Sequence, residues 1–493
     1  MELKDIVGFV ARFGTTSAAM ANFIAVLWPR SSEGIRPRIA AINGTFQLAR
    51  RTRMSHWSAV GGLALAALSA ACSQNIVRRM FPAPIVMQDE RLDFSRTVLP
   101  ERRETEVSVL FATTRAPAPP EAPERYARGA GGAVRVGVAR VQLGEPGWSF
   151  DDLVKSDRTS NPETPRPARV AAVEELGVFG APEREAERAF VAAIDHQLAH
   201  SPDRSVVIYV PGYRATFDQV MILMGSWAHY LGRDSTVIAF SWPTGTRWWN
   251  YLSDCRNAHA FVPDIARLIA LVAEQSQAQR LNLIAFSCGA PLLAEALVQL
   301  RQAHPEEDRA ALQRRYRIGN DIYIAADIDL QTFARSHLPA LFDIAGRTEV
   351  YLSQNDTALR FAAWLARASR LGRPSFDELT REELKTLASN QQLVTIDVTD
   401  VEGAHELTGM RGHGYWFANQ RVSSDVLLSM VYPFDPVWRG LVHGPGLGLW
   451  TFPDDYPQRV GDAVYQVAPE LRREAQTAQL CVGRSIGACQ ALP

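Results

Sequence analysis

Cysteine is scarce in this chain, with five among 493 residues. That is too few to staple a fold of this size, so the core must come from apolar packing. Charge of one sign is lacking as well. With 52 basic and 53 acidic residues, there is no overall positive field of the kind a nucleic-acid binder carries, and no nucleic-acid partner is expected. Neither H-E-x-x-H nor a paired C-x-x-C occurs, which leaves metal catalysis without its usual ligand spacing. G-x-G-x-x-G and Walker-type loops are also missing, so no cofactor is expected. No repeat with a period of roughly 20–50 residues is visible, which argues against solenoids and propellers. What remains is globular in composition, 47% hydrophobic and 21% charged, and that excludes disorder. The length allows one large domain with extras, or about three small ones.

The stretch Ala59 to Cys72 reads AVGGLALAALSAAC. Its run of roughly 13 apolar residues is short for a membrane-spanning helix and suits a signal-peptide h-region. The ending Leu68-Ser69-Ala70-Ala71-Cys72 resembles a bacterial lipoprotein signal, in which the cysteine thiol is acylated; here the leucine stands four places before the cysteine rather than three. Residues 1–80 carry ten Lys or Arg against three Asp or Glu, and Met54 is a candidate start just before the run. Residues 1–72 are therefore expected to be a signal or lipoprotein-type segment, with Cys72 lipidated and the protein held at the bacterial envelope membrane or in the periplasm. A buried apolar helix of a cytoplasmic protein is the alternative. Residues 73–104 are expected to be an irregular tether. Export permits disulfides, and Cys481 and Cys489 in the tail are one pair that could close a small loop.

From Glu106 onward short β-branched runs alternate with helical patterns. VSVLFATTR (107–115) and AVRVGVARVQL (133–143) read as strands, and 151–168 as a polar, Pro-rich loop. SVVIYV (205–210), STVIAF (235–240), LNLIAF (281–286), DIYIAA (321–326), TEVYLS (348–353) and VTIDVT (394–399) follow as strands. Helical stretches separate them, among them a long one over roughly 254–279. Near-continuous apolar strands spaced by helices predict an α/β fold, a doubly wound and mostly parallel sheet. Ligands on such sheets sit at the carboxyl ends of the strands. A helical insertion, Leu359 to Gln392, precedes the last strand and reads as a lid or a connecting helix pair.

S-x-G occurs at Ser32, Ser287 and Ser485. The one literal G-x-S-x-G, around Ser485, has only six residues after it and no outgoing helix. Ser287, in Ala285-Phe286-Ser287-Cys288-Gly289, has the strand before and the helix after that a nucleophile elbow needs. A serine hydroxyl must pass its proton to an oriented base. The chain order Ser, acid, His leaves His405, His413 and His443 for that base, and the glycine-flanked His413 is favoured with His405 as fallback. For the acid, Asp356 follows the penultimate strand, while Asp327 and Asp329 follow the one before it. The amides of Cys288 and Tyr213 are the expected oxyanion donors, with Gly212 allowing close approach and Arg214 near the mouth.

VPGYRATF, AFSWPTG with WNYLSDCRNA, LIAFSCGA, IYIAADID, VYLSQNDTAL and GHGYWF, in that order, resemble an uncharacterised bacterial branch of the α/β-hydrolase superfamily with esterase- and lipase-like members. The likeness covers residues 105–432, leaving 433–493 as a C-terminal extension. It implies the α/β-hydrolase fold and a Ser–His–Asp hydrolase acting on a small-molecule ester or acyl substrate, with nucleophile Ser287, base His413 and acid Asp356. Thioesters and amides are further substrate classes, and an acyltransferase or a non-catalytic envelope scaffold are rival readings. Pro211 stands where the family has His, and Ala285 where it has the first elbow Gly. Trp242, Trp248, Trp249, Tyr251, Tyr415, Trp416 and Phe417 are candidates for an apolar pocket or for core.

Overall fold

The computed structural model describes residues 79–473, apart from 123, 165, 181–182, 246–250, 404–411, 433 and 446–447. Its strands are β1 (Arg79–Met80), β2 (Glu106–Pro117), β3 (Tyr126–Leu143), β4 (Arg166–Val178), β5 (Ser205–Val210), β6 (Thr236–Ser241), β7 (Arg280–Phe286), β8 (Ile318–Ile324), β9 (Ala345–Leu352), β10 (Leu393–Asp397), β11 (Val442–His443) and β12 (Leu449–Thr451). They form one sheet in the order β1-β4-β3-β2-β6-β5-β7-β8-β9-β10-β12-β11. Pairing is parallel from β2 through β12, while β1, β4, β3 and β11 are attached antiparallel.

Strand β5 shows why the centre is stable. All six of its residues are buried, and their alternation divides them between two cores. Val207 and Tyr209 face one core with Val220 and Met224 of the helix Phe217–Tyr230. Val206, Ile208 and Val210 face the other with Ile265, Leu293 and Leu297 of the helices Val262–Gln275 and Gly289–Gln302. A strand covered on both faces has no use for polar alternation, which is why it reads as an unbroken apolar run. The chain leaves β5 for β6 on one side and then crosses to β7 on the other. The carboxyl ends of β5 and β7 thus flank a topological switch point, where such sheets open a crevice.

Several expectations are corrected. Residues 151–168 are not all loop, because Phe150–Arg158 is a helix started by a capping box between Ser149 and Asp152, with Phe150 and Leu153 buried. The strand β4 also begins within that stretch. It lies toward the sheet edge and carries few fully buried residues, so no apolar run announces it. The long helix over 254–279 is broken into Tyr251–Asn257, a 3-10 turn Ala258–Phe261 and Val262–Gln275. Pro263, in the first turn of the last piece, cannot donate the bond a continuous helix would need.

Residues 79–104, expected as a tether, are packed rather than loose. Met80, Ala83, Val86 and Leu92 are buried, and Ala83 N–H and Val86 N–H donate to the hydroxyls of Ser160 (2.9 Å) and Ser424 (3.1 Å). Nor do residues 433–473 stand apart. β12 extends the sheet beside β10, and Asp93 N–H donates to Leu471 O at 2.8 Å. The tail also supplies Arg439, which is fully buried against Glu349 of β9 and Asp425 of the helix Gln420–Val431. The insertion before β10 contains the helices Thr357–Ala366 and Arg381–Ser389. Its middle is stitched to the strand ends, with Leu371 N–H on Ile328 O (2.8 Å) and Gly372 N–H on Ala326 O (2.9 Å). Among the described residues, no helix is long and apolar enough to cross a membrane.

Candidate active site

At the end of β7 the chain turns abruptly into the helix Gly289–Gln302. Ser287, at the turn, has φ +53°, a left-handed conformation that costs a non-glycine residue roughly 1–3 kcal/mol and persists only where the surroundings impose it. Here they do. Ser287 N–H donates to Ile324 O of β8 (3.0 Å), and Ser287 O accepts from Ala290 N–H (3.0 Å) and Asp327 N–H (3.2 Å). Gly289 lets the new helix approach β5, since a Cβ there would lie 2.5 Å from Pro211 O and 2.6 Å from Val210 O. Ala285, at the place where a first elbow glycine is usual, is accommodated with no exposure.

Two further strand ends bring side chains to this serine. Asp356 follows β9 and caps the helix Thr357–Ala366, its Oδ1 accepting from Leu359 N–H at 2.9 Å. His413 follows β10 after Gly412, whose φ of +79° suits glycine. His413 Nδ1 lies 2.7 Å from Asp356 Oδ2, and His413 Nε2 lies 2.8 Å from Ser287 Oγ. A carboxylate can only accept, so Nδ1 carries the proton and Nε2 is left as acceptor for the serine hydroxyl. Phe286 packs on the imidazole with ring centroids 5.0 Å apart. All three residues are buried: Ser287 is 3% exposed, His413 8% and Asp356 0%.

The other candidates are placed elsewhere. Asp327 gives its carboxylate to Arg370 and to the Tyr251 hydroxyl, while Asp329 caps a short helical turn through Thr332 N–H at 2.7 Å. Neither takes the place of Asp356. His443 stacks on Trp450 within the β11–β12 pair. His405, Ser485, Cys72, Cys481, Cys489, Trp248 and Trp249 lie outside the described residues.

The loop after β5 sits directly over the bend. A Cβ on Gly212 would come within 3.0 Å of Ser287 Cβ and 2.9 Å of Phe286 Cδ1, so only glycine allows this approach. The carbonyls of the loop are tied back from below. Pro211 O accepts from the buried Trp242 indole N–H (2.8 Å), Arg214 O from Arg128 (3.1 Å) and Ala215 O from Arg115 (2.7 Å). Arg115 is fully buried, and burial, with Arg128 nearby, pushes its guanidinium down to about 10. Arg214 has φ +66° and is exposed. Tyr213 donates its hydroxyl to Asp254 Oδ2 at 3.0 Å, and burial followed by that carboxylate raises the phenol.

Two features escaped the sequence reading. Cys288, next to the serine, is disulfide-bonded to Cys255 across a separation of 33 residues, with Cα atoms 5.9 Å apart. Arg370, from the middle of the insertion, fixes Asp327 beside the bend. Neither leaves a local signal, because each pairing is made by the crossovers. The aromatic candidates turn out mostly to be core. Trp242, Tyr415 and Trp416 are buried, and Trp416 stacks on Trp227 with centroids 5.5 Å apart. Tyr415 uses its hydroxyl to bridge Ala325 N–H and Tyr351 O. Among the described residues, His304, Glu306 and Glu307 could bring ligand atoms together, but Arg315 already engages Glu307, and the trio is exposed or half-exposed.

The sheet order and its flanking helices are those of the α/β-hydrolase fold. Residues 186–429 match the family described as "Alpha/beta hydrolase of unknown function (DUF900)". A solved structure described as the putative cell surface hydrolase from Lactobacillus plantarum WCFS1 is similar at 11% identity and a TM-score of 0.25, covering 42% of this chain and 86% of that one. A search of the curated proteins found no match.

Proposed function

We propose that the protein is a serine hydrolase that cleaves carboxylic esters through an acyl-enzyme on Ser287. The observation that carries this reading is the continuous chain Ser287 Oγ–His413–Asp356, with links of 2.8 and 2.7 Å. In this reaction Ser287 Oγ attacks the ester carbonyl while His413 Nε2 takes its proton. Asp356 holds the ring and offsets the imidazolium charge. The amides of Cys288 and Tyr213 receive the developing oxyanion. His413 then protonates the departing alcohol, and water repeats the sequence to release the acid. Thioesters and amides follow the same course.

The test is turnover of short p-nitrophenyl esters and labelling by a fluorophosphonate. Both should be lost in Ser287→Ala, and labelling that persists in that variant refutes the assignment. The low exposure of Ser287 favours one second reading, a scaffold that keeps the fold without turnover. Folded wild-type protein that resists the probe would select it. Export to the envelope with Cys72 lipidated belongs to the same proposal, and a disulfide beside the serine suits an oxidising compartment. Mass spectrometry of the N-terminal peptide from cells decides that part.

A further inference from the structure

The helix Tyr251–Asn257 is short, yet it touches the candidate site at three points. Cys255 is bonded to Cys288, the residue whose amide follows the serine. Asp254 Oδ2 accepts from the Tyr213 hydroxyl and from Gly245 N–H, each at 3.0 Å. A Cβ on Gly245 would fall 2.3 Å from that oxygen, so the contact is closed. Tyr251 donates to Asp327, whose own N–H donates to Ser287 O. The rings of Tyr213 and Tyr251 meet edge to face at 5.4 Å. One small element therefore grips residue 288 covalently and residue 213 by its side chain, the two residues whose amides face a substrate oxygen in the proposed reaction.

From this geometry we infer that Cys255 and Asp254 are positioning residues, and that the intact Cys255–Cys288 disulfide holds the oxyanion donors at their working separation. The inference rests on the serine-hydrolase reading and deepens it. Preorganised donors stabilise a transition state only while they are held in place, and a shift of about 1 Å in such a site costs up to 100-fold. A dithiol reductant would release the clamp. One of its thiolates attacks Sγ of the half-buried Cys255 rather than of the fully buried Cys288, and displaces the Cys288 thiolate. Its second thiol then closes on the mixed disulfide and frees Cys255. The protein gains two electrons and two protons as two thiols, and the reductant leaves as a cyclic disulfide.

The experiment uses the full oxidised chain, with fluorophosphonate labelling, ester kinetics and thermal melts before and after dithiothreitol. Reduction should lower kcat about 10- to 100-fold with KM changed less than about twofold, and reoxidation with oxidised glutathione should restore it. Cys255→Ser should show the lowered kcat from the start and no response to dithiothreitol. Asp254→Ala should lower kcat with the disulfide intact. Asp254→Asn, whose amide oxygen still accepts from Tyr213, should recover most of the loss. An unchanged kcat once peptide mapping finds both Cys255 and Cys288 as thiols overturns the inference, as does a loss that only follows unfolding or appears in KM alone. Should Cys255→Ser fail to fold, reduced wild type and Asp254→Ala decide. Wild type that never labels sinks the hydrolase reading itself, whereas labelled wild type indifferent to reduction sinks only the clamp.

Discussion

Asp356 and His413, 57 residues apart in the chain, meet at 2.7 Å, and the aspartate spends its other oxygen on the Leu359 amide at the start of the next helix. One carboxylate therefore orients the imidazole and caps a helix, and the two roles can be separated. Asp356→Asn keeps a cap-competent side chain but removes the charge that fixes the ring's tautomer. Ester turnover should fall by about 10⁴-fold, with the melting temperature nearly unchanged. Asp356→Ala should match that loss and also destabilise by about 1 kcal/mol. Comparable activity in Asp356→Asn and wild type would remove Asp356 from the reaction.

Gly289 faces two backbone carbonyls that cannot move aside, one of them held by Trp242. Gly289→Ala should cost about 1–3 kcal/mol and lower turnover, because relief requires the bend at Ser287 or the 211–213 loop to shift. Gly129→Ala, where an added Cβ meets nothing within 4 Å, is the control and should be close to neutral. Urea unfolding of both variants measures the difference.

Arg439 is one cation between two carboxylates, with Nη1 3.0 Å from Glu349 and Nε 3.1 Å from Asp425, all three at 0% exposure. Burial pushes Asp425 up to about 6 even with Arg439 beside it. Arg439→Met would take the ion-pair partner from Asp425 and leave Glu349 only Arg347, 3.8 Å away, and should destabilise by about 3–5 kcal/mol. Replacing Glu349 and Asp425 by Leu and Asn in the same chain should recover much of that. Chemical denaturation of the single and triple variants tests the pairing.

Asp321 on β8 is buried with one oxygen on the Thr348 hydroxyl at 2.8 Å. Burial raises it from 3.8 to about 7. The folded chain then holds a proton that the unfolded chain gives up, so this residue's contribution is full below about pH 4 and is lost as pH rises toward 7. Asp321→Asn should raise the melting temperature at pH 7–8 by about 2 °C or more and flatten the slope between pH 4 and 7 relative to wild type. An identical pH profile in variant and wild type would show that the burial is relieved by solvent.

Much of the site was legible because its members follow strands whose sequences are unmistakable. LNLIAF, TEVYLS and VTIDVT are apolar runs buried on both faces, and in a parallel sheet their carboxyl ends share one edge. That logic led to Ser287, Asp356 and His413 as candidates, and the structure brings those three side chains together. It put Asp356 ahead of Asp327 because the penultimate strand lies nearest the last, although both stand at strand ends. The difference is that Arg370 and Tyr251 already engage Asp327.

The edges of the fold were harder to read. β4, β11 and β12 are short of buried apolar residues, and the stretches 79–104 and 433–473 carry no sustained period. Their packing depends on long-range partners such as Ser160, Ser424 and Glu349, which no local window contains.

By itself, the amino-acid order determined the alternation of buried strands with helices and where each candidate side chain falls after its strand, because burial on two faces leaves a pattern in every local window. Only the tertiary structure decided which acid meets the imidazole, which cysteines join and that Arg439 neutralises a distant strand. Those pairings arise when crossovers bring together residues far apart in sequence, and nothing local encodes that distance.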